Sequence, residues 1–119
     1  MTNEQTVRRF EHEFKNKANL DVVDDLMSED FVHHLPFPDL PPGRAGMKGV
    51  GTLIFGAIAD ISVAVELTVS QGDLVADRVS GRGIRKDTAA PVAWVENHIY
   101  RLRDGRIAEM WPAGGPDLR

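Results

Sequence analysis

The sequence changes period near residue 60, and that change limits the fold more than any single motif. Before it, apolar residues recur at helical spacing. Val7, Phe10 and Phe14 share one face behind a Thr2–Gln5 pair at capping-box spacing. Val22, Val23, Leu26 and Met27 make the apolar side of a short second helix that Ser28-Glu29-Asp30 ends. Met47, Val50, Ile54 and Ile58 do the same within Ala45–Ile58, despite Gly46, Gly49, Gly51 and Gly56, each of which weakens a helix. Those glycines imply support from tertiary packing or the close approach of another segment. After residue 60 the period is two. Ile61, Val63, Val65, Leu67 and Val69 alternate with smaller or polar residues, and further strands are expected over 74–84, 92–102 and 106–111. Gln71-Gly72-Asp73 and Asp104-Gly105 supply turns. A short strand over 31–35 precedes a stiff loop with four prolines between residues 36 and 42. Helices first and antiparallel strands afterwards mean an α+β domain with its helices on one sheet face. Long, bent strands closed by helices leave a cavity at the open end.

The chain has 119 residues, enough for one domain (1–119) with a real core. It carries 14 basic and 18 acidic residues, a net charge of −4, which argues against a nucleic-acid partner. There is no cysteine, so disulfides, thiolate nucleophiles and thiolate metal sites are excluded. No apolar run suits a membrane span and the first residues lack a signal-peptide core, so no membrane partner and a cytoplasmic location are expected. The tail from Pro112 is rich in Gly and Pro and is expected to be loose.

The last hairpin presents the chemistry. With Asp104 and Gly105 as a two-residue turn, one face carries Trp94, Glu96, His98, Tyr100, Leu102, Ile107, Glu109 and Trp111. A bulged turn would instead place Met110 opposite His98. An imidazole and carboxylates on an apolar face need partners, and such groupings suit acid–base chemistry. A satisfied wall histidine is the alternative for His98, and pairing with an arginine is the alternative for Glu109. His33 and His34 are adjacent on a strand and point to opposite faces. His34 is placed at the cavity mouth, as a catalytic or a rim histidine. His34, His98 and a carboxylate could make a metal set by count, but no spacing matches a metal motif, and neither metal nor cofactor is expected. No phosphate-binding loop or nucleophile elbow is present in the pattern.

Several segments, taken in order, resemble a known family. They are Val7-Arg8-Arg9-Phe10, Leu20 through Leu26, Asp30-Phe31-Val32-His33-His34, Pro42 through Lys48, the Gly72-Asp73 turn, and Ile99 through Trp111. Together they resemble the SnoaL-like polyketide cyclases of the NTF2-like superfamily. The resemblance implies a cone: three N-terminal helices packed on a curved antiparallel or mixed sheet around a hydrophobic pocket, often in homodimers formed through the sheet. It implies cofactor-independent acid–base catalysis, of cyclase, isomerase or related lyase type, on a small hydrophobic carbonyl compound such as a polyketide intermediate. Relatives of this fold isomerise ketosteroids, dehydrate scytalone, open limonene epoxide or only bind, so a non-catalytic small-molecule-binding domain is the alternative. Family cyclases carry a histidine on the penultimate strand, matched by His98, and an aspartate at or just after the last strand. Here Pro112 follows Trp111, and Asp117 lies further along the tail. His98, with His34 and Glu109 as partners, is therefore the expected catalytic set. Trp94, Trp111, Tyr100, Phe37, Phe14 and Phe55 are the expected substrate-binding residues.

Overall fold

Thr2 starts the first helix as its spacing predicts. Its Oγ1 accepts from the Gln5 backbone N–H at 3.1 Å, and the Gln5 side chain accepts from the Thr2 N–H at 2.8 Å. The computed structural model describes residues 1–34 and 37–118. Leu35, the last residue of the expected short strand, and Pro36 lie outside the described residues. Helix α1 spans Asn3–Glu11 and runs into a π-helical turn, His12–Asn16. Helix α2 is Val22–Leu26, strand β1 is Met27–His33, and helix α3 is Gly43–Ala57. Strands β2 (Ile58–Gln71), β3 (Leu74–Arg85), β4 (Pro91–Arg103) and β5 (Arg106–Gly114) follow.

The sheet is mixed, with order β1-β5-β4-β3-β2. Strands β2 to β5 form an antiparallel meander, and β1 pairs parallel with β5. The architecture is therefore α+β, with five strands and a few helices. Val7, Phe10, Phe14, Val22, Val23 and Leu26 join Met47, Tyr100, Leu102, Ile107 and Met110 in one core. Burial of this apolar face, more than intrinsic propensity, holds α2, which has only five residues.

Three local readings differ from the sequence expectation, each for a physical reason. Met27 begins β1 instead of ending α2: its N–H still closes the last turn on the Val23 carbonyl, but its backbone is extended (φ −104°, ψ 146°), and the Arg44 guanidinium satisfies its carbonyl (Nη2 at 2.6 Å). Asp104 and Gly105 do form the two-residue turn, with φ of 53° and 77°. A bulge between Arg101 and Leu102 then shifts the ladder, so Tyr100 opposes Met110 and His98 opposes Pro112. That single inserted residue turns Glu109 and Trp111 to the outer face and brings Met110 inward. The tail is docked, not loose: β5 continues to Gly114, the Gly115 N–H donates to the Val95 carbonyl, and Leu118 packs against the core.

The α3 glycines act through close approach. A Cβ at Gly46 would stand 2.0 Å from the Pro41 carbonyl oxygen, and one at Gly51 would meet Leu20 at 2.6 Å and Phe14 at 2.8 Å. A Cβ at Gly56 would meet nothing within 4 Å. Two alanine substitutions in one helix should therefore have opposite signs in chemical denaturation. Gly46→Ala should lose about 2–3 kcal/mol, since the stiff Pro41-Pro42 backbone cannot yield. Gly56→Ala should gain about 0.5–1 kcal/mol through helix propensity.

Candidate functional site

The π-helical turn sets the site. Widening the helix there brings Phe14 and Lys15 inward together, and Lys15 is only 5% exposed. Asn16 anchors the turn to β2: its side chain accepts from the Val63 N–H at 2.6 Å and donates to the Val63 carbonyl at 3.1 Å. Lys15 Nζ thereby reaches Glu11 Oε2 and Glu96 Oε1, both at 2.7 Å.

Around this lysine lies a buried polar cluster from three elements. Glu11 comes from α1, Asp77 from β3, and Glu96, His98 and Tyr100 from β4. Asp77 and His98 are cross-strand partners, which places their side chains together on the inner face. His98 Nδ1 is 2.7 Å from Asp77 Oδ1, and its Nε2 is 3.2 Å from Glu96 Oε1. Tyr100 donates its hydroxyl to Glu11 Oε1 in a short bond. Trp94 Nε1 donates to Glu96 Oε2 at 2.8 Å. Glu11 Oε2 makes no directed hydrogen bond, but its charge contact with Lys15 compensates it. Asp77 Oδ2 has no hydrogen-bond partner among the described residues.

Protonation follows from this arrangement. Burial alone would discharge His98, but its bonds to Asp77 and Glu96 and the charge of Glu11 outweigh that and raise its pKa to about 9. Burial would likewise push Glu96 up, yet Lys15 and His98 hold it ionised with a pKa of about 2. Burial disfavours the Lys15 charge too, and Glu11 and Glu96 more than restore it, so Lys15 stays protonated. Asp77 is raised, by burial first and by the Glu11 charge, against the pull of His98. Burial and the Glu11 charge raise the Tyr100 phenol well above its usual range, which keeps it a donor.

The cluster borders a cavity of about 90 Å³. Lys15, Glu96 and His98 form its polar floor, and Phe14, Met47, Ile54, Met110, Pro112 and Leu118 supply apolar walls. Glu11, Asp77 and His98 each bring one ligand-type atom within 4.8 Å of the others, close enough to gather about a single cation. The positive charge facing those carboxylates is already supplied by Lys15 and the His98 imidazolium.

The residues expected from sequence fall into two groups on opposite sides of the sheet. His98, Phe14 and Phe37 line the cavity. Tyr100 and Trp94 stand behind it, bonded to Glu11 and Glu96, and Phe55 packs 6.1 Å from Phe14. His34 and Glu109 meet each other on the outer face, with Nε2 3.1 Å from Oε1. There His34 stacks on Trp111 at 4.5 Å, and Arg101 bridges Glu109 to Asp73. The paired histidines do point to opposite faces, and His33 is the one that lines the cavity. Lys15, Glu11 and Asp77 escaped the sequence reading. Glu11 and Lys15 have the i,i+4 spacing of a solvated helix pair, and no periodicity marks such a pair as buried.

The fold and this cluster can now be set beside known proteins. The family model of the SnoaL-like polyketide cyclases matches residues 5–114. The chain belongs to that family. Among solved structures, this SnoaL-like protein is similar to wild-type IdmH from Streptomyces antibioticus, with 29% identity, a TM-score of 0.84, and coverage of 96% of this chain and 92% of IdmH. A loop-truncation variant of IdmH gives 30% identity and a TM-score of 0.82 over 95% and 92%. AclR from Streptomyces galilaeus shares the fold at 20% identity and a TM-score of 0.81, over 95% and 78%. No curated protein matches the sequence. Among the described residues, no helix of this SnoaL-like protein is long and apolar enough to cross a membrane.

The raised His98 pKa makes stability depend on alkaline pH. An ordinary histidine titrates near 6.5, so the folded state holds this proton more tightly than the unfolded chain. The stabilisation is complete below about pH 6.5 and disappears as pH rises through about 9. Urea midpoints should fall across that window, by on the order of 3 kcal/mol in unfolding free energy. His98→Gln should flatten the slope.

Proposed function

We propose that this protein is a cofactor-independent acid–base catalyst of cyclase or isomerase type, acting on a small hydrophobic carbonyl compound such as a polyketide intermediate. Family membership supports a small-molecule role of this kind. The observation that carries the finer reading is His98: an imidazolium held beside Lys15 and Glu96 on the floor of a cavity with mostly apolar walls.

The two ring nitrogens are not equivalent. The 2.7 Å bond to Asp77 fixes Nδ1 and the ring plane, while the 3.2 Å bond to Glu96 is the weaker one. Nε2–H is therefore the proton to be offered to a carbonyl oxygen entering the cavity. Lys15 stands beside it as a second cation. Together they stabilise the charge that develops on that oxygen as the carbon next to the carbonyl loses its proton. Glu96 is the carboxylate in place to receive that proton. Its basicity is low while Lys15 pairs with it, so electrophilic pull on the oxygen carries the larger share. Pro112 pairs across the ladder from His98 within β5, two residues before the strand ends at Gly114, and it is not the aspartate that the family resemblance implies near that strand's end. The carboxylates around this histidine come instead from α1, β3 and β4.

The α-hydrogens of 2-hexanone exchange with D2O through the enol, and proton NMR follows that loss. The wild-type protein should accelerate the exchange over buffer, and His98→Gln should remove about 10²-fold or more of that acceleration. Equal rates in the two proteins would remove His98 from the chemistry. The commitment of both ring nitrogens also supports a binding-only reading. That reading predicts protection by the ketone against heat with no exchange above buffer.

The outer sheet face supports self-association as a homodimer. Val69, Ala76, Ile99 and Trp111 lie in one row across four strands, and Val69 and Ile99 are 62% and 47% exposed. Ile99→Lys should shift a dimer toward monomer in light scattering. A monomeric wild-type protein would discard this surface.

A further inference from the structure

A second cavity lies next to the charged one and has a different chemistry. Its volume is about 200 Å³. Phe31 and Val32 of β1, Leu40 and Pro41 of the proline loop, and Gly46 of α3 supply its walls. His33, Phe37 and Val50 line both cavities and so form the partition between them. Aromatic groups dominate that partition: the His33 ring stands 6.5 Å from the rings of Phe31 and Phe37. Among the described residues of the lining, His33 is the one titratable group, so this space offers little to a polar ligand.

The small cavity alone does not suit the proposed chemistry. Binding sites for small molecules run from about 300 Å³ upward, and 90 Å³ accommodates only a reacting fragment. Taken together, the two spaces approach that lower limit. The walls of the larger one are stiff. The Pro41 carbonyl lies where a Cβ on Gly46 would stand, so loop and helix are already in close contact, and the fixed φ of Pro41 and Pro42 keeps the loop from folding inward to fill the void. An apolar cavity of about 150 Å³ is large enough to take up benzene, so this one has room for slightly more than such a ring.

We propose that the cavity beneath the proline loop is a subsite for the apolar arm of the ligand whose carbonyl lies over Lys15, Glu96 and His98. The proposal rests on the acid–base reading for the position of the carbonyl. It adds the ligand class: an amphipathic ketone with one polar end and an unbranched alkyl or single-ring arm of roughly six carbons. The arm passes the His33–Phe37–Val50 partition, so these three side chains select for slender arms over bulky ones.

The test uses the linear 2-alkanones from 2-butanone to 2-decanone, titrated into the isotope-labelled full chain and followed by amide chemical shifts. Affinity should rise about threefold to fourfold per added methylene and then level off once the arm fills the subsite. The largest shifts for the longer ketones should fall at Val32, Gly43 and Gly46. Leu40 lines only the larger cavity, so its substitutions address the subsite directly. Leu40→Trp should remove the gain with chain length, and Leu40→Ala should move the plateau to longer chains. Opposite effects from one position are not a signature of misfolding. An affinity that does not change with chain length would overturn the subsite. So would shifts confined to Thr52, Leu53 and Ala57, which line a separate, more open groove beside the tail. His98→Gln separates the two proposals: the chain-length gain should persist in it, with or without any exchange activity. In the wild-type protein, no exchange above buffer with the gain intact condemns the acid–base reading only, and exchange without any gain condemns the subsite only.

Discussion

The ion pair that Lys15 makes with Glu11 and Glu96 is the constraint on which the inner face depends. Three carboxylates, a phenol and an imidazole are packed into the interior, each less than a tenth exposed. A carboxylate left there without a partner would cost several kcal/mol. The ammonium of Lys15 and the His98 imidazolium balance two of the three negative charges, and Asp77, whose pKa is raised, is the third. The π-helical turn exists at the point where Lys15 must reach inward, and Asn16 holds that turn against β2. Local helix geometry, strand pairing and the protonation of His98 are thus one problem with one solution.

The cost of this arrangement explains the division of labour across the sheet. The inner face joins one charged floor to two apolar spaces. The outer face holds a second set of charges, His34, Glu109, Arg101 and Asp73, in contact with solvent around Trp111. Exposed pairs of this kind contribute little each and are screened by salt. Buried ones are screened far less. The two clusters resemble each other in composition and differ in what water does to them.

Much of the architecture was legible from periodicity. The change of period near residue 60, the Thr2 cap and the Asp104-Gly105 turn each rest on local chemistry, and each holds in the structure. What was not legible depended on single-residue departures from regularity. The bulge at Arg101–Leu102 moves Glu109 and Trp111 to the far side of the sheet, and no turn residue announces it. The π-helical turn buries Lys15 and sits beside a Glu11–Lys15 pair that reads as solvated. His98 could be found because an imidazole among apolar alternating residues stands out. Asp77 could not, because its partner lies 21 residues away and only the register of β3 against β4 brings them together. The α3 glycines signalled a close approach without naming what approaches. Pro41, Leu40 and Leu20 are visible only in the packed chain.

The interlocked bonding of Glu11, Lys15, Asp77, Glu96 and His98 has an evolutionary consequence. Exchanging any one of them strands a charge that its neighbours were neutralising, whereas replacing several at once with matched apolar residues need not. Drift at these positions should therefore be punctuated. A lineage would either keep the whole set or abandon it together, and intermediates holding half of it should be scarce.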